Sequence, residues 1–141
     1  MKIRLPLAIV AAAAAAGCAT GPGMMGGGST RSHGGGADVP VWVYESYLSV
    51  GEEPIQRRAS TNAPVIFTLV HDRETDLYRF PSDAVAFDPS TTEFTCATIN
   101  DTLVKCDRTG SAAKSFKYRI SVVLRADPTR RTTLDPFIIT H

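Results

Sequence analysis

From Val39 onward, apolar residues come in short runs that alternate with polar ones, and Pro, Asp, Asn, Gly and Ser separate the runs. Period-two alternation bounded by turn-forming residues is the pattern of half-buried β-strands. No stretch carries the periodicity of a long amphipathic helix. A first strand is predicted from Val41 to about Val50, with Val41 and Val43 on one face and Trp42 and Tyr44 on the other. Residues 51–54 read as a turn and 56–63 as a polar connection. The continuous apolar run 65–70 suits a strand at the middle of a sheet, covered on both faces. Short strands at 77–80 and 84–87 bracket a turn at Pro81-Ser82-Asp83. Residues 115–125 alternate most regularly, with Phe116, Tyr118, Ile120, Val122 and Leu124 inward and Lys117, Arg119, Ser121 and Arg125 outward. A last strand, 134–140, begins at Pro136 or lies on an edge, because proline donates no ladder hydrogen bond. With the hairpin at 94–106, seven or eight strands predict an all-β fold, an immunoglobulin-like two-sheet sandwich.

The beginning of the chain breaks this pattern. Lys2 and Arg4 precede an apolar run, 5–16, that is shorter than the roughly 20 residues a spanning helix needs and has the layout of a secretory signal. The run ends at Ala15-Ala16-Gly17-Cys18, which resembles the lipobox of bacterial lipoproteins, in which small residues precede a cysteine that becomes the lipid-bearing N-terminus. The usual leucine of the first lipobox position is Ala15 here. The resemblance implies cleavage after Gly17 and a diacylglycerol thioether on Cys18, making a membrane the first partner. Ala14-Ala15-Ala16 also satisfies an ordinary Ala-x-Ala cleavage site. Ala19 resembles the residues that follow the cysteine in lipoproteins sorted to the outer membrane, which implies anchorage at its periplasmic face. The glycine-rich residues 20–37 have almost nothing to bury and are expected to be a disordered leash, with a root-mean-square span on the order of 25 Å. The expected organisation is a signal peptide at 1–17, a lipidated N-terminus and linker at 18–37, and a sandwich domain at 38–141.

The cysteines then divide by role. Cys18 is assigned to the lipid, which leaves Cys96 and Cys106 in the hairpin formed by residues 94–99 and 103–106. A three-residue loop sets Cys96 directly opposite Cys106, whereas a two-residue loop sets it against Lys105. A one-residue slip moves every side chain to the other face, so a paired cysteine couple selects the odd loop. Phe94, Cys96, Val104 and Cys106 then share the inner face. In an oxidising exported location a Cys96–Cys106 disulfide is expected. The hairpin, together with Leu77-Tyr78-Arg79-Phe80-Pro81, Tyr118-Arg119-Ile120-Ser121-Val122 and Leu134-Asp135-Pro136-Phe137-Ile138-Ile139, resembles small exported β-domains of uncharacterised proteobacterial proteins. That resemblance spans residues 65–140 and implies the fold but no activity.

Charge excludes one class of partner. Cleavage after Gly17 removes two of the 15 basic residues and no acids, leaving 13 against 14 acidic residues, a net of −1. Nucleic-acid binding needs a basic footprint, so no nucleic-acid partner is expected. Lys117, Arg119 and Arg125 could form a basic stripe for an anionic glycan or lipid headgroup, but a solvated strand face that also blunts edge pairing is the better account of them. His71 with Asp72, Glu74 and Asp76 lacks the spacing and turn glycine of a calcium loop. Blue copper needs two histidines, a cysteine and usually a methionine, and no methionine follows Met25. No G-x-S-x-G elbow occurs, and distant carboxylates for glycoside hydrolysis have little room for a cleft in so small a domain. No catalytic residue, resident metal or cofactor is expected. The expected function is a non-enzymatic binding or envelope-assembly module whose further partner is an envelope protein or glycan. Copper capture through Met24, Met25, His33 and His71 is the alternative.

Overall fold

The period-two runs fold into eleven strands and no α-helix among the residues described by the computed structural model, 37–45 and 47–141. In chain order these are β1 (Ala37–Tyr44), β2 (Tyr47–Val50), β3 (Ile55–Arg57), β4 (Val65–Leu69), β5 (Tyr78–Arg79), β6 (Val85–Phe87), β7 (Phe94–Asn100), β8 (Leu103–Arg108), β9 (Ser115–Leu124), β10 (Arg131–Leu134) and β11 (Phe137–Thr140). A single 3-10 turn, Thr75–Leu77, precedes β5. One sheet has the order β2-β1-β4-β8-β7; the other has β10-β9-β11-β3, with β5 and β6 also paired to β9. The pairings β1·β4 and β3·β11 are parallel and the rest antiparallel, so both sheets are mixed.

The two-sheet sandwich is therefore as expected, with more and shorter strands. The predicted strand 41–50 is a hairpin: Val41 faces Val50, Val43 faces Leu48 and Tyr44 faces Tyr47. Residues 55–57, expected in a polar connection, form β3 against β11. The final segment divides at Asp135-Pro136 into β10 and β11, and β11 begins one residue after the proline, in the middle of its sheet.

The ten-residue β9 organises the second sheet. Its residues 115–117 pair with β11 and 120–123 with β10, while β6 and β5 succeed one another along its opposite flank. Phe116, Tyr118, Ile120 and Val122 are buried as predicted. They meet Val39, Val41, Val43, Phe67 and Val104 of the facing sheet in one core cluster, with the Phe67 and Tyr118 ring centroids 5.4 Å apart. Ser121 points away from the core as predicted, yet is only 1% exposed. Its hydroxyl lies 3.2 Å from that of Thr133. Arg131, on one flank of β9, makes a two-bond ion pair of 3.0 and 2.8 Å with Asp83 on the other flank, crossing over Ser121 and Val123.

Candidate functional site

The two ends of the sandwich differ in how their polar groups are used. At the end where β1 starts, the buried guanidinium of Arg108 donates from Nη1 to the carbonyls of Arg58 and Ala59 (3.2 and 3.0 Å) and from Nη2 to that of Ala112 (2.9 Å). The Glu93 carboxylate lies 3.6 Å from it and accepts Lys114 Nζ at 3.0 Å. The Lys114 hydrogen bond, reinforced by the charges of Lys114 and Arg108, holds the Glu93 carboxyl below its ordinary range. This end is closed by hydrogen bonds to loop carbonyls that have no strand partner.

At the other end the β1–β2 turn, the 3-10 turn and the turn after β9 converge on an exposed surface. Tyr44 and Tyr47 are cross-strand partners on the outer face, because Val43 and Leu48 beside them occupy the inner one. Their rings stack at 4.9 Å between centroids with 26° between planes. Tyr44 is 38% exposed, Tyr47 59% and Leu77 57%, three of the five large exposed apolar side chains among the described residues. Thr75 sets the spacing of this surface: its buried hydroxyl accepts the Val43 N–H at 3.1 Å and donates to Asp72 Oδ2 at 3.1 Å. Asp72 Oδ1 accepts the N–H groups of Glu74 (2.9 Å) and Thr75 (2.8 Å). These bonds, that from the Thr75 N–H foremost, lower the Asp72 pKa and hold the 3-10 turn against the end of β1.

A hollow of about 430 Å³ opens here, lined by residues that include Glu45, Tyr78, Leu124 and Arg130. A second, of about 410 Å³, shares those four and extends to Glu74 and Leu77. Among the described residues, no ion pair engages Glu45, Glu74 or Arg130. The arrangement combines the donors and acceptors of Glu45, Glu74 and Arg130 with the apolar side chains of Leu77 and Leu124. It is suited to holding a ligand, and no nucleophile with an adjacent base is part of it.

Of the residues singled out from sequence, Cys96 and Cys106 are joined by a disulfide of 2.04 Å and face one another across β7 and β8. Cys18, Met24, Met25 and His33 lie outside the described residues. His71 bonds Asp76 through Nδ1 at 2.8 Å on the surface, and no group of three or more His, Cys, Asp or Glu among the described residues is placed to hold a metal. The basic stripe is interrupted by acids: Arg119 pairs with Asp135 at 3.5 Å and Arg125 with Asp101 at 2.6 Å. Sequence reasoning missed the tyrosine pair, although its signal is present. Inner positions are odd at Val41 and Val43 but even at Leu48 and Val50, and such a change of parity requires the chain to reverse between them. The chain matches no protein-family model and no curated protein.

Proposed function

We propose that this chain is a lipid-anchored protein of the cell envelope, held by Cys18 at the periplasmic face of the outer membrane, whose sandwich is a non-enzymatic binding module. The observation that carries the binding reading is the open end itself, where the exposed Leu77 lines a hollow with Glu45, Glu74 and Arg130, and the exposed Tyr44 directly precedes Glu45. Exposed apolar groups gathered within a polar rim are typical of an interaction site. Position supports the same reading. Ala37 starts β1, Tyr44 ends it, and eight residues of strand separate the two by about 23 Å. In a domain tethered ahead of Ala37, the aromatic end is therefore the one farther from the point of attachment. The Cys96–Cys106 disulfide is in keeping with an oxidising compartment.

Fractionation of cells expressing the full chain tests the anchor. The wild type is expected in the detergent-soluble membrane fraction, with an acylated N-terminal cysteine by mass spectrometry, and Cys18→Ser is expected in the aqueous fraction. Retention of Cys18→Ser on membranes, or a mature N-terminus without acyl groups, would sink the lipid-anchored reading.

A further inference from the structure

We propose that the outer edge of β7 is a pairing surface for a second copy of this chain, a site separate from the open end and independent of what binds there. The Thr109 N–H donates to the Glu93 carbonyl at 3.0 Å. The odd-numbered residues of β7 are therefore those that bond β8, since bonded and non-bonded pairs alternate along an antiparallel ladder. Phe94, Cys96 and Thr98 direct their N–H and C=O groups away from β8. Among the described residues no other strand pairs with β7, and no hydrogen bond reaches these backbone groups. The other edges are shorter or closed: β2 and β10 have four residues each, and the Gln56 N–H on the outer side of β3 is taken by Glu52 Oε1 at 2.9 Å. By contrast, β7 has seven residues and carries neither a charge nor a proline, the features that keep an edge strand from pairing.

Antiparallel pairing about a two-fold axis at Cys96 sets Phe94 against Thr98, and Thr95 against Ala97, of the second copy. Each outward N–H then meets a C=O. The backbone would accept any extended segment, and the side chains select a copy of this one. Thr95 and Ala97 are small and exposed on the outer face, with Asp107 beside Thr95 and Lys105 beside Ala97. Across the junction each row runs Asp107, Thr95, Ala97, Lys105, the last two from the second copy. An acid closes one end of the row and a base the other, and no like charges are opposed. On the inner face Thr98, whose hydroxyl donates to the Pro81 carbonyl at 2.7 Å, comes against Phe94 and the half-buried Phe87 ring stacked on it at 4.8 Å. The contact is isologous and consumes both edges, so assembly stops at a dimer in which the two five-stranded sheets continue as one.

Sedimentation equilibrium of the full-length chain in a density-matched detergent tests the pairing. The wild type is expected at twice the mass of one chain. Thr95→Lys keeps a favourable neighbour in Asp107 of its own copy but faces Lys105 of the second, so its dissociation constant is expected to rise about tenfold, with circular dichroism unchanged. Adding Lys105→Glu to Thr95→Lys is expected to restore the dimer, which a variant that had merely lost its fold would not do. Lys117→Ala, on the other sheet, is expected to sediment as the wild type. A photo-crosslinker at position 97 is expected to join β7 to β7 of the second copy. A monomeric wild type, a dimer indifferent to Thr95→Lys, or capture of a different protein from position 97 would overturn the self-pairing, and none of these outcomes bears on the anchor or the open end.

Discussion

The Tyr118 hydroxyl lies inside the sandwich and has no hydrogen-bond partner among the described residues. Burial, with a smaller contribution from the Glu53 carboxylate, raises the phenol pKa well above its ordinary value. The ring packs beside Phe67 and Phe87, so its value to the fold lies in its carbon face. Tyr118→Phe keeps that face and removes a polar atom that was desolvated without return. We expect its urea midpoint to equal or exceed that of the wild type, corresponding to at most about 1 kcal/mol of added stability. A clear loss would mean that the hydroxyl has a stabilising partner. Arg108 is the opposite case, since its guanidinium satisfies carbonyls from two loops at once. Arg108→Met is expected to lose about 3 kcal/mol or more in denaturant unfolding, because those acceptors remain in the fold without their donor. Arg108→Lys should recover only part of the loss, since a single ammonium cannot span the same fork.

Among the elements, the β7–β8 hairpin separates what local pattern specifies from what it leaves open. Cys96 opposite Cys106 and Ala97 opposite Lys105 are in the register inferred from the cysteine spacing. The odd residue is absorbed differently, by a β-bulge between Thr98 and Asn100 that leaves Ile99 57% exposed, with Asn100 paired to Leu103. A loop and a bulge satisfy the same cysteine constraint, so spacing alone could not choose between them. Removing the clasp with Cys96→Ala/Cys106→Ala should cost about 2–3 kcal/mol of stability. Non-reducing mass spectrometry should find the wild type lighter by two hydrogens than its reduced form, and free thiols at both positions would contradict the assignment. Elsewhere, alternation made β9 legible and the unbroken apolar run made β4 legible, because burial selects those residues whatever their neighbours do. Neither β3 nor β10 carried such a signal. Ile55 is followed by polar Gln56 and Arg57, and β10 reads Arg-Thr-Thr-Leu; each is a strand because β11 or β9 offers it a ladder from far along the chain. Ser121 lies on the outer face as alternation predicts, but its burial was not legible, since Asp83 and Arg131, which pair across its strand, come from the turn before β6 and the start of β10. The aromatic site followed the same rule, becoming visible once the β1–β2 reversal set Tyr44 against Tyr47.

Across the whole molecule, several carboxylates are tied to the turns and loops between strands. Asp72, Asp83, Glu93 and Asp127 all have lowered pKa values, through hydrogen bonds chiefly from the Thr75 N–H, the Arg131 guanidinium, the Lys114 ammonium and the Thr129 hydroxyl respectively. A carboxyl with a lower pKa in the folded than in the unfolded state stabilises the fold above its unfolded value, and that contribution disappears as pH falls through the folded value. The ordinary values are 3.8 for aspartate and 4.5 for glutamate, so thermal stability should hold from neutrality to about pH 5 and decline below about pH 4. Melting curves from pH 7 to 3 check this, and a melting temperature unchanged across the acid range would refute it. Asp83→Asn should flatten the decline, since it removes one of the groups that must take up a proton.

The closed end also receives the final described residue. The His141 carbonyl accepts the Ala59 N–H at 2.7 Å, and Ala59 in turn is gripped by Arg108, while Ala37 pairs with Val65 and Val65 with Cys106 close by. Entry and exit of the domain thus lie on one side. A fluorophore or affinity handle joined after His141 would ride on the side where β1 begins and leave the tyrosines unobstructed, whereas the same cargo spliced in after Glu45 would stand in front of them.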